Sequence, residues 1–260
     1  MPPSTSRPPR HGPKLVSALV SVTLGLLAIG LAVPRLYAET ATLIGQAAIG
    51  EAQRKSRAQA PDAIDQDRIR PDEMRDVAAL LDGAARMSGS PMAHSLAGQA
   101  RLLTADHAVR TGQPAAASVE AAVAGLSAAV AANPADPYVW ARLTHAEYRA
   151  GRPTAAASAW HMSVLTGPYH PDLMELRLIQ GWGLQDWLEP PARAAFEEQV
   201  MLYWRLDPGE TTLFAHRHGA EALLRRLLSG DPEALDEFNL RYDSIPSASA
   251  PSASAGSARP

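Results

Sequence analysis

The stretch NPADPYVWARLTHAEYRAGRPTAAASAWHMSVLTGP, residues 133–168, predicts two short helices joined by a glycine turn. Asp136 is a typical N-cap residue, and Pro137 follows it at the first helical position, where its missing N–H costs nothing. Gly151 ends the first helix, and Pro153 begins the second. Alanine fills much of the second helix, so a neighbouring helix can approach it closely. The stretch therefore predicts a closely packed helical hairpin.

Six residues of this hairpin fall in the order of a 34-residue helical repeat. The order is an aromatic residue, a leucine, a turn glycine, a small residue, a second aromatic residue and a closing proline: Trp140, Leu143, Gly151, Ala156, Trp160 and Pro168. On these residues the hairpin resembles a tetratricopeptide repeat (TPR). The resemblance implies stacked hairpins whose surface binds a partner protein or peptide.

Partial copies of the pattern flank this hairpin. One period earlier, Ala122, Leu126 and Ala129 occupy the second-helix positions, whereas Asp106 and Val109 replace the expected aromatic and leucine. The following stretch, 171–208, is longer than one repeat and keeps the closing proline and large apolar residues, so the resemblance covers roughly 100 residues. No stretch shows sustained alternation of apolar and polar residues. We therefore expect an all-α fold of antiparallel helical hairpins, stacked as a short TPR-like solenoid and preceded by one transmembrane helix.

Composition excludes several classes of function. The chain has 260 residues and no cysteine, which rules out disulfides, thiolate metal sites and cysteine catalysis. Its net charge of −3 gives no general attraction to nucleic acid, so no nucleic-acid partner is predicted.

Residues Leu15–Val33 (LVSALVSVTLGLLAIGLAV) form an uncharged run. As a helix this run is about 28 Å long, close to the thickness of a bilayer core, and it predicts a transmembrane anchor. A buried core helix and a cleaved signal peptide, cut after Ala38, are the alternatives. We favour the uncleaved anchor because the run exceeds the usual length of a signal-peptide core and because Arg35 disfavours cleavage.

Charge predicts the orientation of this anchor. Arg7, Arg10 and Lys14 precede the run, and Arg35 alone follows it closely. The positive-inside rule then places the N-terminus in the cytoplasm. For a bacterial chain, which the alanine-rich composition suggests, this means a single-pass inner-membrane protein with most of its residues in the periplasm.

The expected division of the chain has five parts. Residues 1–14 form a disordered cytoplasmic tail, 15–33 the anchor, 34–70 a juxtamembrane helix and linker, 71–243 the TPR-like domain, and 244–260 a disordered tail. Pro34 is read as a helix breaker. The juxtamembrane helix has a weak apolar face that includes Leu43 and Ile44.

A search for reactive motifs predicts no catalytic, cofactor-binding or metal-binding residues and no cofactor. The chain lacks a phosphate loop, GxSxG, HExxH and a framed carboxylate pair. His216 and His218 are two residues apart and would point to different faces of a helix. We therefore predict that the chain is not an enzyme. The alternative is an envelope enzyme with an unrecognised site, for example a hydrolase that uses Glu175 or Glu197.

Aromatic and basic residues supply the candidate partner-binding set, because tryptophan, tyrosine and arginine are enriched in binding hot spots. Trp140, Trp160 and Trp204 are interpreted as core residues. Gly181-Trp182-Gly183 is poor helix and predicts an exposed bend. The candidate set is Arg142, His145, Arg149, Trp182 and Trp187.

The resulting hypothesis is a membrane-anchored adaptor that binds an envelope protein or peptide. By analogy with short anchored repeat proteins, it is also a candidate accessory to envelope polysaccharide assembly. The sequence predicts no oligomeric state.

Overall fold

The structure, a computed structural model, describes residues 12–57 and 70–246. Within these ranges the fold is all-α, with eleven α-helices, one 3-10 turn and no strand. Residues 1–11 and 247–260 of the predicted tails, and the linker residues 58–69, lie outside the described ranges. Residues 12–14, which were expected to belong to the disordered N-terminal tail, form the start of the first helix. The helices are α1 Gly12–Arg57, α2 Pro71–Ser88, α3 Pro91–Arg110, α4 Ala116–Ala132, α5 Pro137–Arg149, α6 Pro153–Thr166, α7 Pro171–Gly183, α8 Pro190–Leu206, α9 Pro208–His218, α10 Glu221–Leu228 and α11 Pro232–Asp243.

Local signals set the helix starts. Eight of the eleven described helices begin with proline, whose fixed φ suits the first turn. The predicted N-cap Asp136 accepts hydrogen bonds from the backbone N–H groups of Tyr138 (2.9 Å) and Val139 (3.3 Å). Asp207 likewise accepts from the N–H of Glu210 at 2.9 Å. These caps satisfy donors that the first helical turn leaves unpaired.

The chain divides into two compact units, residues 1–133 and residues 134–260. Residues 71–243 were expected to form one TPR-like domain, but this division assigns α2–α4 to the first unit together with α1. The reason is that α1 packs against α2 and α3, while α3 packs against α4.

In the first unit, α1 is one continuous helix that passes through Pro34. Its packing face is a stripe of mostly small residues at helical spacing: Ala38, Ala41, Gly45, Ile49 and Ala52. A Cβ placed on Gly45 would lie 2.9 Å from a methyl group of Leu81, so glycine permits the close approach of α2.

Two expectations about α1 are therefore wrong. Pro34 does not end the helix, because proline removes one hydrogen bond without forbidding a longer helix around it. Leu43 and Ile44 are exposed instead of packed, since the small residues of the stripe allow the closest contact with α2.

Residues 21–33 of α1 are all exposed. Its large apolar residues from Val22 to Val33 all lie on the surface. The helix is the one element, among the described residues, that is long and apolar enough to cross a membrane.

The second unit has an aromatic core that runs from α6 to α11. Trp160 is fully buried and meets Phe196 edge-on, and Trp204 meets Phe238 in the same way. The assignment of Trp160 and Trp204 to the core is thus confirmed. Trp140 is half-buried, and its indole N–H donates to the Pro134 carbonyl at 2.8 Å.

Gly181-Trp182-Gly183 is helical, so the predicted bend is wrong. A Cβ on Gly181 would lie 2.5 Å from the Phe196 ring and 3.0 Å from the Trp160 ring. Glycine at this position serves close packing of α7 against its neighbours, which offsets its low helix propensity.

Candidate functional site

Arg177 of α7 fixes the joint between two helical hairpins. Its side chain is fully buried and donates to Ser163 Oγ (3.1 Å), to the Gly167 carbonyl (2.8 Å) and to the Ser163 carbonyl. These groups lie at or near the C-terminal end of α6, where the helix dipole favours a cation. Burial lowers the pKa of Arg177 to about 10, so the guanidinium keeps its charge at neutral pH. At this contact between hairpins, carbonyl and hydroxyl oxygens therefore hold the charged Arg177 side chain in place.

Two further hydrogen bonds hold this joint together. The indole N–H of buried Trp160 donates to the Arg177 carbonyl at 2.9 Å. Ser163 Oγ donates to the Pro137 carbonyl at 2.9 Å, which ties α6 to the start of α5. The polar groups of the joint thus satisfy one another inside an apolar core.

Helices α5 and α7 lie side by side. Near their starts, the Tyr138 hydroxyl donates to Asp172 Oδ2 at 3.3 Å. Burial, and then the Asp172 carboxylate, raise the pKa of Tyr138, which keeps this donor protonated. Further along, Gln180 Nε2 donates to the Ala141 carbonyl at 3.0 Å. Beyond that contact the two helices leave an open groove between them.

This groove, named here the α5–α7 groove, has a cavity volume of about 540 Å³. Such a volume falls in the range of ligand sites. Its lining comes from α5, from α7 with the following Leu184, and from the end of α9: Thr144, His145, Tyr148, Arg149, Leu176, Ile179, Gln180, Trp182, Gly183, Leu184 and His218.

The chemistry of the α5–α7 groove is apolar with a basic edge. Tyr148, Leu176 and Ile179 expose large side chains in it. Arg149 and two histidines supply the basic groups, and none of the lining residues is acidic. Arg149 Nε lies 3.3 Å from His145 Nε2 and donates to it. The groove suits a ligand that combines an apolar group with a negative charge.

Two polar contacts of the groove lining differ in how well they are satisfied. Trp182 donates its indole N–H to the His218 carbonyl at 2.9 Å and packs edge-on against Phe214, which fixes His218 at the edge. The Gln180 Oε1 atom is buried without a hydrogen-bond partner among the described residues. An unpaired buried acceptor of this kind costs about 1–3 kcal/mol.

The structure brings together three of the five candidate partner-binding residues. His145, Arg149 and Trp182 line the α5–α7 groove, whereas Arg142 and Trp187 do not. Arg142 is half-buried, and this burial lowers its pKa. Trp187 is exposed in the 3-10 turn after α7.

Tyr148, Leu176 and Ile179 are groove residues that the sequence analysis missed. A second apolar face on α7 could have identified Leu176 and Ile179. Leu173 and Leu178 point into the core, so these other apolar residues lie on a different face of the helix.

The residues named for other chemistries are dispersed. Glu197 pairs with Arg226 at 2.8 Å, and Glu175 is exposed on α7. Across residues 12–57 and 70–246, no three histidine or carboxylate side chains gather closely enough to hold a metal ion.

No model of a protein family matches the chain, and no curated protein matches its sequence.

Proposed function

We propose that this chain is a membrane-anchored, TPR-like adaptor of the bacterial cell envelope. Its α5–α7 groove binds a peptide segment of a partner protein that presents an apolar side chain next to a carboxylate. The observation that carries the proposal is the groove itself, which is apolar along its length, basic at its edge and free of acidic lining residues.

The arrangement of hairpins supports the TPR-like part of the proposal. Helices α5 and α7 begin at Pro137 and Pro171, 34 residues apart, which is the length of a TPR. Helix α7 packs against both helices of the preceding hairpin, and α6 also packs against α8. In a solenoid, consecutive hairpins contact each other in this way and expose first-helix faces to a ligand.

Two features support an uncleaved anchor. Helix α1 continues without a break through Ala38 and Glu39, the residues on either side of the alternative cleavage point. Ala38 is also buried, in a cluster with Ala84, Ala85 and Ala93. Cleavage would remove a residue that packs on α2 and α3.

The orientation and process follow from charge and analogy. The excess of basic residues before the apolar run favours a cytoplasmic N-terminus and a periplasmic groove. Polysaccharide assembly is the process that the resemblance to short anchored repeat proteins suggests.

The test uses the full-length protein in detergent micelles and a library of random peptides. We expect selected peptides to combine a large apolar residue with an acidic residue or a free C-terminal carboxylate, because the groove offers both contacts. Tyr148→Ala and Arg149→Glu should each weaken binding of a selected peptide at least about tenfold, which corresponds to about 1.4 kcal/mol.

Matched variants outside the groove are the controls. Tyr169 is 75% exposed, compared with 53% for Tyr148, and does not line the groove, so Tyr169→Ala should leave peptide binding unchanged. Arg110→Glu is the corresponding control for charge reversal. Equal binding by Tyr148→Ala and Tyr169→Ala, or selection of peptides without acidic groups, would overturn the proposal.

A further inference from the structure

The turn between α2 and α3 lies beside the end of the apolar part of α1. Arg35 is the first charged residue after the run Leu15–Val33, so in an anchored chain it marks the level of the lipid headgroups. The contacts of α1 show which part of the first unit lies at this level.

Helix α2 runs antiparallel to the packed half of α1. Ile49 and Ala52 cluster with Met74 and Val77, near the start of α2. Ala38 and Ala41 cluster with Ala84 and Ala85, near its end. The C-terminal end of α2 is therefore the end that lies closer to the anchor.

Distances along the helix place the turn at the interface. Since Ala85 lies opposite Ala38 and Ala41, the turn at Ser88–Ser90 falls within about 5 Å of Arg35 along the axis of α1, at 1.5 Å per residue. The headgroup region on each side of a bilayer is about 5–7 Å thick. The α2–α3 turn thus reaches the depth at which headgroups lie.

The residues at this turn have the composition of a membrane contact. Met87 and Met92, which flank it, expose 52% and 45% of their surface. Arg35 and Arg86 are exposed nearby. The segment 83–92 carries no acidic residue. Asp82, just before it, is paired with Arg101, and Glu39 lies one turn beyond Arg35, away from the apolar run.

We propose that the α2–α3 turn is a second membrane contact, in which Met87 and Met92 enter the interface of an anionic bilayer while Arg35 and Arg86 bind lipid phosphates. This inference rests on the proposed anchoring of α1. It adds that the first unit is held against the membrane surface at two points, which restricts the tilt of α1 and of the helices packed on it relative to the bilayer. Methionine suits such a contact because its side chain is flexible and apolar.

The absence of cysteine makes the test direct. Met87→Cys, Met92→Cys, Val109→Cys and Leu26→Cys variants of the full chain carry a nitroxide label, in vesicles of phosphatidylethanolamine and phosphatidylglycerol. The measurement compares accessibility to oxygen, which concentrates in lipid, with accessibility to a water-soluble nickel chelate. Val109 is the matched control, because it is 48% exposed and lies about 26 Å from Met92 along α3.

We expect labels at Met87 and Met92 to favour oxygen several-fold more than the label at Val109. Adding Arg86→Ala, or omitting phosphatidylglycerol, should reduce this difference. Leu26 reports the anchor: a water-accessible label there would overturn the anchoring and this proposal together. A lipid-exposed label at Leu26, with labels at Met87 and Met92 that match the Val109 label, would overturn this proposal alone.

Discussion

At the scale of single residues, Arg177 is a buried cation in the second unit. It is fully buried, and its partners are two carbonyls and a hydroxyl instead of a carboxylate. A buried cation costs desolvation energy, which here is offset by several charge-assisted hydrogen bonds and by the C-terminal dipole of α6. Its removal therefore leaves buried acceptors without donors.

We predict that Arg177→Met lowers the free energy of unfolding of the second unit by about 2–4 kcal/mol, because the recovered desolvation energy does not compensate for unpaired acceptors. Urea denaturation followed by tryptophan fluorescence measures this, and all five tryptophans lie in the second unit. Arg193→Met is the matched control: Arg193 is exposed and reaches carbonyls only at 3.4 and 3.5 Å. Equal effects of the two substitutions would contradict the assigned role of Arg177.

At the scale of elements, the position of α7 depends on Gly181. The Phe196 ring of α8 and the Trp160 ring of α6 occupy the space that a side chain would need. Gly183 ends the same helix two residues later, and a Cβ added there would have no neighbouring atom within 4 Å. Close packing therefore requires glycine at position 181 but not at position 183.

Alanine substitutions at these two glycines should have opposite effects. Gly181→Ala should destabilise the second unit by about 1–3 kcal/mol, because rings on two helices must move. Gly183→Ala should be neutral or stabilising by up to about 1 kcal/mol, since alanine is the better helix former. Thermal unfolding of both variants gives the comparison, and a loss of stability in Gly183→Ala equal to that in Gly181→Ala would refute it.

At the scale of the whole molecule, the single long helix α1 contains both an exposed apolar segment and a segment that packs within the first unit. Residues 21–33 of α1 are all exposed, whereas the part after Pro34 packs on α2 and α3. If the apolar segment spans a membrane, the first unit begins directly at the bilayer without a flexible joint.

We expect the protein extracted from native membranes to keep its N-terminal segment. Intact-mass measurement should give a species near the 27.6 kDa of the full chain. This species should also sediment with the membranes after they are washed at alkaline pH. A soluble species that begins at Glu39 would instead identify a cleaved secretory signal. The same preparation therefore distinguishes an uncleaved anchor from a cleaved signal.

The sequence by itself determined the helical class and the helix boundaries of the central hairpin. Proline at first positions and aspartate at N-caps act within one turn of the chain, so Pro71, Asp136 and Pro137 could be interpreted without any knowledge of neighbours. The burial of Trp160 and Trp204 was also predictable, because large aromatic residues on a helix face carry most of the apolar area.

Tertiary structure alone decided which faces pack and which remain open. The rings of Phe196 and Trp160 leave no room for a side chain at Gly181, and Leu43 is exposed because the smaller Ala38 and Ala41 allow closer contact with α2. The α5–α7 groove is lined by both Tyr148 and Ile179, residues far apart in sequence. Helical periodicity identifies apolar faces but does not say which partner covers each one, because that choice depends on contacts between distant segments.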